Sequence, residues 1–359
     1  MATKSLVKVN TTAGSRTYNR LDMQVSQTLH MAIELFDDLN YLFILDYYDD
    51  ITLFNLDKDP LVVSYYQMKT SNEERITIDS AISENWLAKL YSQLNRSEDW
   101  LVEELGLITN TPLEITIKNY KQSKKQKQNL IAEKTSFKKI NNSVQQRIRK
   151  DIAEKCGIKE DQVDLSKFFH LRTTLSIERH KDIVEQEMGT FLYNKYPRIT
   201  IDTVKGIYSS LIEILTKRQE YESLPDDAEL KEVKKHKGFT KTEFTTIIDK
   251  VIMLSLPSFN DVVKFSGVKD TIVSLPYAQI ITDSNNKDDE SFHTIFNEVL
   301  ETMSAYPLKN QRFESVWEYG LEIGDIIHEK KPLLKIPYDS NYIAVLVICL
   351  LINESRRLK

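Results

Sequence analysis

"YLFILDYYDDITLFNLDKDPLVVSYYQMKT", residues 41–70, decides the fold. "YLFIL" is an apolar run suited to a strand buried on both faces. "DITLFNL" (50–56) reads as a second strand, "DKDP" (57–60) as a turn, and "LVVSYYQMK" (61–69) as the strand that completes a hairpin. Side chains two apart on a strand share a face. Tyr65, Gln67 and Lys69 therefore point one way, Tyr66 and Met68 the other. An amide beside an ammonium at a strand end is either solvated sheet surface or half of a site.

Working outward, the apolar spacing Leu21, Val25, Leu29, Ile33 predicts a helix before the first strand, with Gly14 and Ser15 marking a flexible lead-in. After the hairpin, "SAISENWLAKLYSQL" (80–94) predicts one helix starting at Asp79 or Ser80, with Ile82, Trp86, Leu87, Leu90 and Leu94 on one face. "PLEITIKNY" predicts a short strand, "LRTTLSIE" (171–178) another, and helices follow at 179–194 and 201–220. "LPDDAELKEVKKHKG" (224–238) reads as a charged connector. Thr240 with Glu243 forms a capping box opening the next helix. Beyond it, "KDTIVSLPYAQIITD" (269–283) has β-like segments and "DSNNKDDE" (283–290) reads as a polar loop. We expect an α/β chain. A small mixed sheet flanked by helices comes first, then a mostly helical region and a smaller α+β C-terminal part. The expected domains are 1–255 (core 18–120, helical extension 121–255) and 256–359, the second with an assembly or partner-binding role.

Composition limits the function. The 359 residues are 41% hydrophobic and 28% charged, with only nine glycines and nine prolines, which favours long helices over a turn-rich β architecture. The net charge of −5 means that a nucleic-acid surface needs gathered basic residues. Cys156 and Cys349 are too isolated for a disulfide framework or a cysteine zinc site, and fit a reducing cytoplasm. "NYIAVLVICLLINE" (341–354) is short for a bilayer and reads as a buried helix, with a second use as packing between subunits of a homo-oligomer. The six histidines form no HxH or HExxH pattern, and no GxxxxGK[ST] or GxGxxG occurs. Any ATPase step therefore belongs to another polypeptide.

Cutting a phosphodiester needs a divalent cation on oxygen ligands and a nearby positive charge for the developing negative charge. A hairpin supplies both compactly. Asp50 begins one strand, and Gln67-x-Lys69 ends its partner, with Asp46 and Asp49 as rival carboxylates. A Q-x-K tripeptide is equally at home on any sheet surface, and an Asp pair before a strand is commonly just a turn.

Residues 41–71 resemble the PD-(D/E)XK nuclease core in its QxK version. More narrowly, the chain is similar to a bacterial antiphage double-stranded DNA endonuclease family. Effectors of that family are fused to SAVED sensor domains or encoded beside HerA-type translocase ATPases. Its layout is a glycine and a tyrosine ahead of a helix bearing a glutamine, an acidic residue before a strand, then QxK followed by Thr or Ser. These correspond to Gly14 and Tyr18, Gln24, Asp50, and Gln67, Lys69 and Thr70. Two points depart from the pattern: Asp46 stands where the family often has Glu, and the helix glutamine is either Gln24 or Gln27. The resemblance implies Mg2+ (or Mn2+) on Asp50 and Gln67, Lys69 at the water and phosphate, and Gln24 in a supporting role. No SAVED-like pattern follows in 256–359, which favours activation by a partner, a HerA-type ATPase. A basic cluster, Lys118, Lys121, Lys124, Lys125 and Lys127 with Arg147 and Arg149, is the candidate DNA track. The alternative is a DNA-binding or scaffolding subunit without catalysis, since Gln rather than Asp or Glu at 67 lowers the charge holding a metal.

Overall fold

The structure is a computed structural model, and it describes residues 13–95, 100–118, 125–197, 199–254, 256–285, 290–308 and 313–357. The opening helix, α1, spans Ala13–Glu34 and so starts ahead of the expected lead-in. Gly14 lies in its first turn, where the orphan N–H groups leave little helix to weaken. Three antiparallel strands follow: β1 (Tyr41–Leu45), buried throughout, β2 (Ile51–Asn55) and β3 (Val62–Lys69). Tyr41 registers against Asn55 and Ile51 against Tyr66, so Asp50 stands one step beyond the last registered pair, beside Gln67.

The predicted helix over 80–94 is two helices. After the two-residue strand β4 (Ile76–Thr77), α2 (Ile78–Ser83) is capped by the Thr77 hydroxyl, which accepts from the Ser80 amide. Asn85, at φ 64°, then breaks the rod before α3 (Trp86–Ser92). Asparagine tolerates this left-handed turn better than most residues. The turn lets α3 lay Leu87, Leu90 and Tyr91 on the sheet over Tyr65.

β5 (Leu101–Thr109) lies parallel to β3. β6 (Leu113–Lys118) and β7 (Lys125–Leu130) make an antiparallel hairpin, which joins β4 in a three-stranded sheet of order β4-β6-β7. Part of the basic run is thus a strand. β8 (Lys134–Ser136), α4 (Asn142–Cys156) and β9 (Phe168–Arg172) come next. The strand expected at 171–178 therefore sits earlier in the chain, with His170 inside it. Helices α5 (His180–Lys195) and α6 (Ile201–Gln219) follow. The "charged connector" holds α7 (Leu230–Lys237), which buries Val233 and Lys237 one turn apart and leads into β10 (Gly238–Thr240). The main sheet has the order β10-β1-β2-β3-β5-β9-β8, with β3 at its centre. Half of the expected capping box opens α8 (Lys241–Leu254): the Glu243 amide donates to the Thr240 hydroxyl at 3.1 Å, while the Glu243 carboxylate pairs with Arg218 at 2.9 Å.

The chain divides into two units. The first, Met1–Phe191 with Tyr208–Thr246, contains both sheets. One face of its main sheet lies under α3 and α4, in a core that joins Tyr65, Leu105, Leu107 and Phe168 to Leu90, Ile148 and Ile152. The second unit is Leu192–Ile207 with Ile247–Lys359. Among its described residues are α9 (Phe259–Ser266), α10 (Asp270–Asn285), α11 (Glu290–Ala305), α12 (Val316–Lys330) and α13 (Ser340–Arg357). The β-like segments at 269–283 are therefore helical. α10 keeps Val273 and Ile280 buried at a two-turn spacing despite its β-branched residues and Pro276. The expected loop at 283–290 begins inside α10, and residues 286–289 lie outside the described residues. Helix α13 is the buried helix that its composition predicts: Tyr342 to Leu350 all lie within the core of their own unit. Among the described residues, no helix is long and apolar enough to cross a membrane.

Candidate active site

β3 delivers its alternating side chains to two different environments. Tyr65 is buried beneath α3, and its hydroxyl accepts from Trp100 Nε1 at 3.0 Å. Gln67, only 3% exposed, is equally enclosed. Lys69 emerges at the strand end with its ammonium 5.6 Å from the centre of the Trp86 ring, the first residue of α3. The face that could have been a solvated surface is therefore buried along most of its length.

Asp50 meets this strand end from β2. Its carboxylate accepts the Met68 amide at 2.7 Å and lies 3.7 Å from Lys69 Nζ. Burial pushes the Asp50 carboxyl above its ordinary range, and the charge of Lys69 draws it part of the way back. Gln67 Oε1 is buried without a hydrogen-bond partner. Such an orphaned acceptor costs about 1–3 kcal/mol. A cation or water held between Asp50 and Gln67 would offset it. These are hard oxygen donors of the type Mg2+ takes, usually with several waters retained. Among the described residues, no cluster of three or more His, Cys, Asp or Glu could hold a metal. The amide oxygen and solvent would then have to complete the set.

A cavity of 510 Å3 opens at this strand end, lined by Gln24, Asp50 and Lys69 together with Arg20, Arg75 and Trp86. Gln67, buried in β3, does not line it. Of the two helix glutamines, Gln24 lines this cavity, whereas Gln27 lines a separate pocket with His30 and Tyr66. Neither rival carboxylate lines the cavity. Asp49 is buried, accepting from Gln93 Nε2 at 3.1 Å and the Asp50 amide at 3.0 Å. Asp46 is exposed at φ 47° in the turn between β1 and β2. Tyr18 lies in α1, with its side chain outside the described residues.

The basic cluster is only partly visible. Lys121 and Lys124 lie outside the described residues, as do the side chains of Lys118 and Lys125, whose backbones pair across the β6–β7 hairpin. Lys127 pairs with Glu114 at 3.0 Å, Arg147 pairs with Asp79 and donates to the Thr116 carbonyl at 3.2 Å, and Arg149 donates to Gln145 at 3.4 Å. Two cations that line the cavity beside Lys69, Arg20 and Arg75, escaped the sequence reading. Arg75 is held 3.1 Å from Glu114. The available signal was its place in the loop leaving β3, because ligand sites of open sheets gather at strand ends.

Residues 12–218 match the family described as "Cap4, dsDNA endonuclease domain". The chain belongs to the Cap4 dsDNA endonuclease domain family. The matched span contains Gln24, Asp50, Gln67 and Lys69. Lamassu protein LmuA of Bacillus cereus (strain VD014) is 30% identical over 254 residues, covering 69% of this chain and 68% of that protein. Among solved structures, the Acinetobacter baumannii Cap4 SAVED/CARF-domain containing receptor with the cyclic trinucleotide 2'3'3'-cAAA aligns over 91% of this chain and 67% of its own, at 11% identity and TM-score 0.40. The corresponding Moraxella osloensis Cap4 receptor aligns over 86% of this chain and 68% of its own, at 13% identity and TM-score 0.37. Family membership bears out the resemblance read from the hairpin, and the mixed α/β class with a later helical region agrees with it.

Proposed function

We propose that this Cap4-family chain is a metal-dependent endonuclease that cuts double-stranded DNA in antiphage defence, using Asp50, Gln67 and Lys69. The observation that carries the reading is the Asp50–Lys69 pair at a cavity mouth, backed by the unpartnered Gln67 Oε1. Mg2+ or Mn2+ would be held by Asp50 and Gln67. When bound, it supplies Lewis-acid polarisation of the phosphate. The residues of the chain do the rest. Lys69 offers its ammonium to the charge that builds on the phosphate oxygens as water bonds to phosphorus and the bond to the leaving sugar oxygen breaks. Its charge also opposes the pull of burial on the Asp50 carboxyl. Gln24 contributes an amide to the cavity wall.

Activation by a partner belongs to the same proposal. The chain has no P-loop, so ATP-driven activation would come from a separate ATPase, of the HerA type in the first instance. The helical region 256–359 is assigned the assembly or docking role, because the site residues all lie in the first unit. Homo-oligomer formation would draw on surfaces other than α13, whose apolar residues are already buried. The Lys118–Lys127 hairpin and Arg147 and Arg149 remain the proposed track for the DNA backbone. For Lys127 and Arg147 this requires exchanging a carboxylate for a phosphate.

The test is Mn2+ titration by calorimetry, run alongside duplex DNA cleavage, on wild type and Asp50→Asn, each alone and with the ATPase. Saturable Mn2+ binding and cutting, both lost in Asp50→Asn, support the proposal. DNA binding without cutting in any combination, unaffected by the substitution, would establish the scaffolding alternative instead.

A further inference from the structure

A buried chain of hydrogen bonds runs behind the candidate site and ends on Gln24. Lys237, the last residue of α7, is 4% exposed, and its ammonium donates to the Gln219 carbonyl at 3.1 Å and the Asp46 carbonyl at 3.0 Å. Gln219 is the last residue of α6, so this lysine satisfies one of the carbonyls that a helix leaves unpaired at its C-terminus. Burial draws the Lys237 pKa down, and the charges of Asp46 and Glu222 oppose that. With its backbone held, Gln219, 5% exposed, donates from Nε2 to Gln24 Oε1 at 2.8 Å. Gln24 in turn lines the cavity beside Asp50 and Lys69.

We infer that Gln219 is a positioning residue for the nuclease reaction: it fixes the amide of Gln24 so that Gln24 turns its Nε2 donors toward the phosphate. This rests on the nuclease reading above. A side-chain amide has one acceptor and two donor protons. With the Gln24 oxygen engaged by Gln219, the donors are what remain for an anionic substrate. Gln219 itself falls one residue beyond the span that matches the family, and is 195 residues from Gln24 in sequence. Neither spacing nor pattern could have paired the two.

The test uses the full chain with two substitutions at 219. Gln219→Glu keeps the shape but presents only acceptors when ionised, which forces the Gln24 amide to reverse. Gln219→Met keeps roughly the volume and removes the tie. The Gln24 side-chain amide signals are identified in a 15N–1H spectrum as the pair lost in Gln24→Met. We expect them to move in both 219 variants. We also expect the kcat for plasmid cleavage to fall about tenfold, as loss of one charge-assisted hydrogen bond implies. The melting temperature of Gln219→Met should stay at the wild-type value. Unmoved amide signals overturn the inference, as does wild-type kcat in both variants while Lys69→Ala is inactive. A wild type that cuts nothing with any partner defeats the nuclease reading instead. The amide signals then still decide whether Gln219 holds Gln24.

Discussion

His170 sits fully buried in β9 with its Nε2 2.8 Å from the Thr109 hydroxyl. That hydroxyl spends its own proton on the Thr111 carbonyl at 2.6 Å, so the imidazole must be the donor at Nε2. Nδ1 is buried with no partner, and a proton added there would find no acceptor. Burial therefore lowers the pKa to about 4, helped by the charge of Arg172. The unfolded chain protonates near the ordinary histidine value and the folded one does not. Stability present above about pH 6.5 is therefore lost as pH falls toward 4, by roughly 3 kcal/mol in all. We expect His170→Gln to flatten the fall in melting temperature between pH 7 and 4.5, measured by circular dichroism; an unchanged slope would exclude this residue as its source. Gly106 makes a second prediction at this scale. A methyl there would meet the Tyr66 ring carbon Cδ1 at 2.4 Å, between β3 and β5. Gly106→Ala should cost about 1–3 kcal/mol in urea denaturation, through overpacking. The pairing of Gln67 with Lys69 on one face was legible from alternation alone. The choice of Gln24 over Gln27 was not, because both fit the helix and only the position of the sheet separates them.

At the scale of elements, the break between α2 and α3 places Trp86 under Lys69. Asn85 makes that break from the left-handed region at φ 64°. A β-branched residue is strained there, so Asn85→Val should lose ~1–2 kcal/mol in the same denaturation experiment, while Asn85→Gly loses less. Equal losses would mean that the backbone conformation is not what the position requires. The sequence reading ran one helix through 80–94 because the apolar period continues across Glu84 and Asn85, and a single left-handed residue leaves that period almost undisturbed. Two other misreadings have physical causes. α7 looked like a connector since six of the eight residues of "LKEVKKHK" are polar or charged, all but Leu230 and Val233, yet Lys237 is buried to cap α6. α10 looked β-like from its Thr, Ile and Val content, a local preference that burial of Val273 and Ile280 overrides.

At the scale of the whole molecule, the mixed sheet and the helical remainder followed from the hairpin and the scarcity of glycine and proline. The strand order did not. β5 joins β3, and β9 joins β5, in parallel only after long excursions through α2, α3 and α4, and pairings so distant in sequence leave no local pattern. In the second unit, α12 approaches α13 so closely that a methyl on Gly320 would meet the Ala344 Cα at 2.7 Å. Gly320→Leu should therefore lower the melting of the helical unit in calorimetry while DNA cleavage below that transition persists. A single merged transition shifted as a whole would show that the two units unfold together.

The proposed place of phosphodiester cleavage is the Asp50–Lys69 end of β3. The most direct test is supercoiled plasmid cleavage in Mg2+ or Mn2+ by the wild type, Lys69→Ala and Lys127→Ala, each assembled with the activating partner and each shown to be folded. We predict a loss of about 100-fold or more in Lys69→Ala, the scale expected when a charge-stabilising group is removed. Lys127→Ala, whose ammonium is tied to Glu114, should retain cutting with at most weaker DNA affinity. Undiminished cutting by Lys69→Ala would contradict the account and place the chemistry elsewhere in the chain.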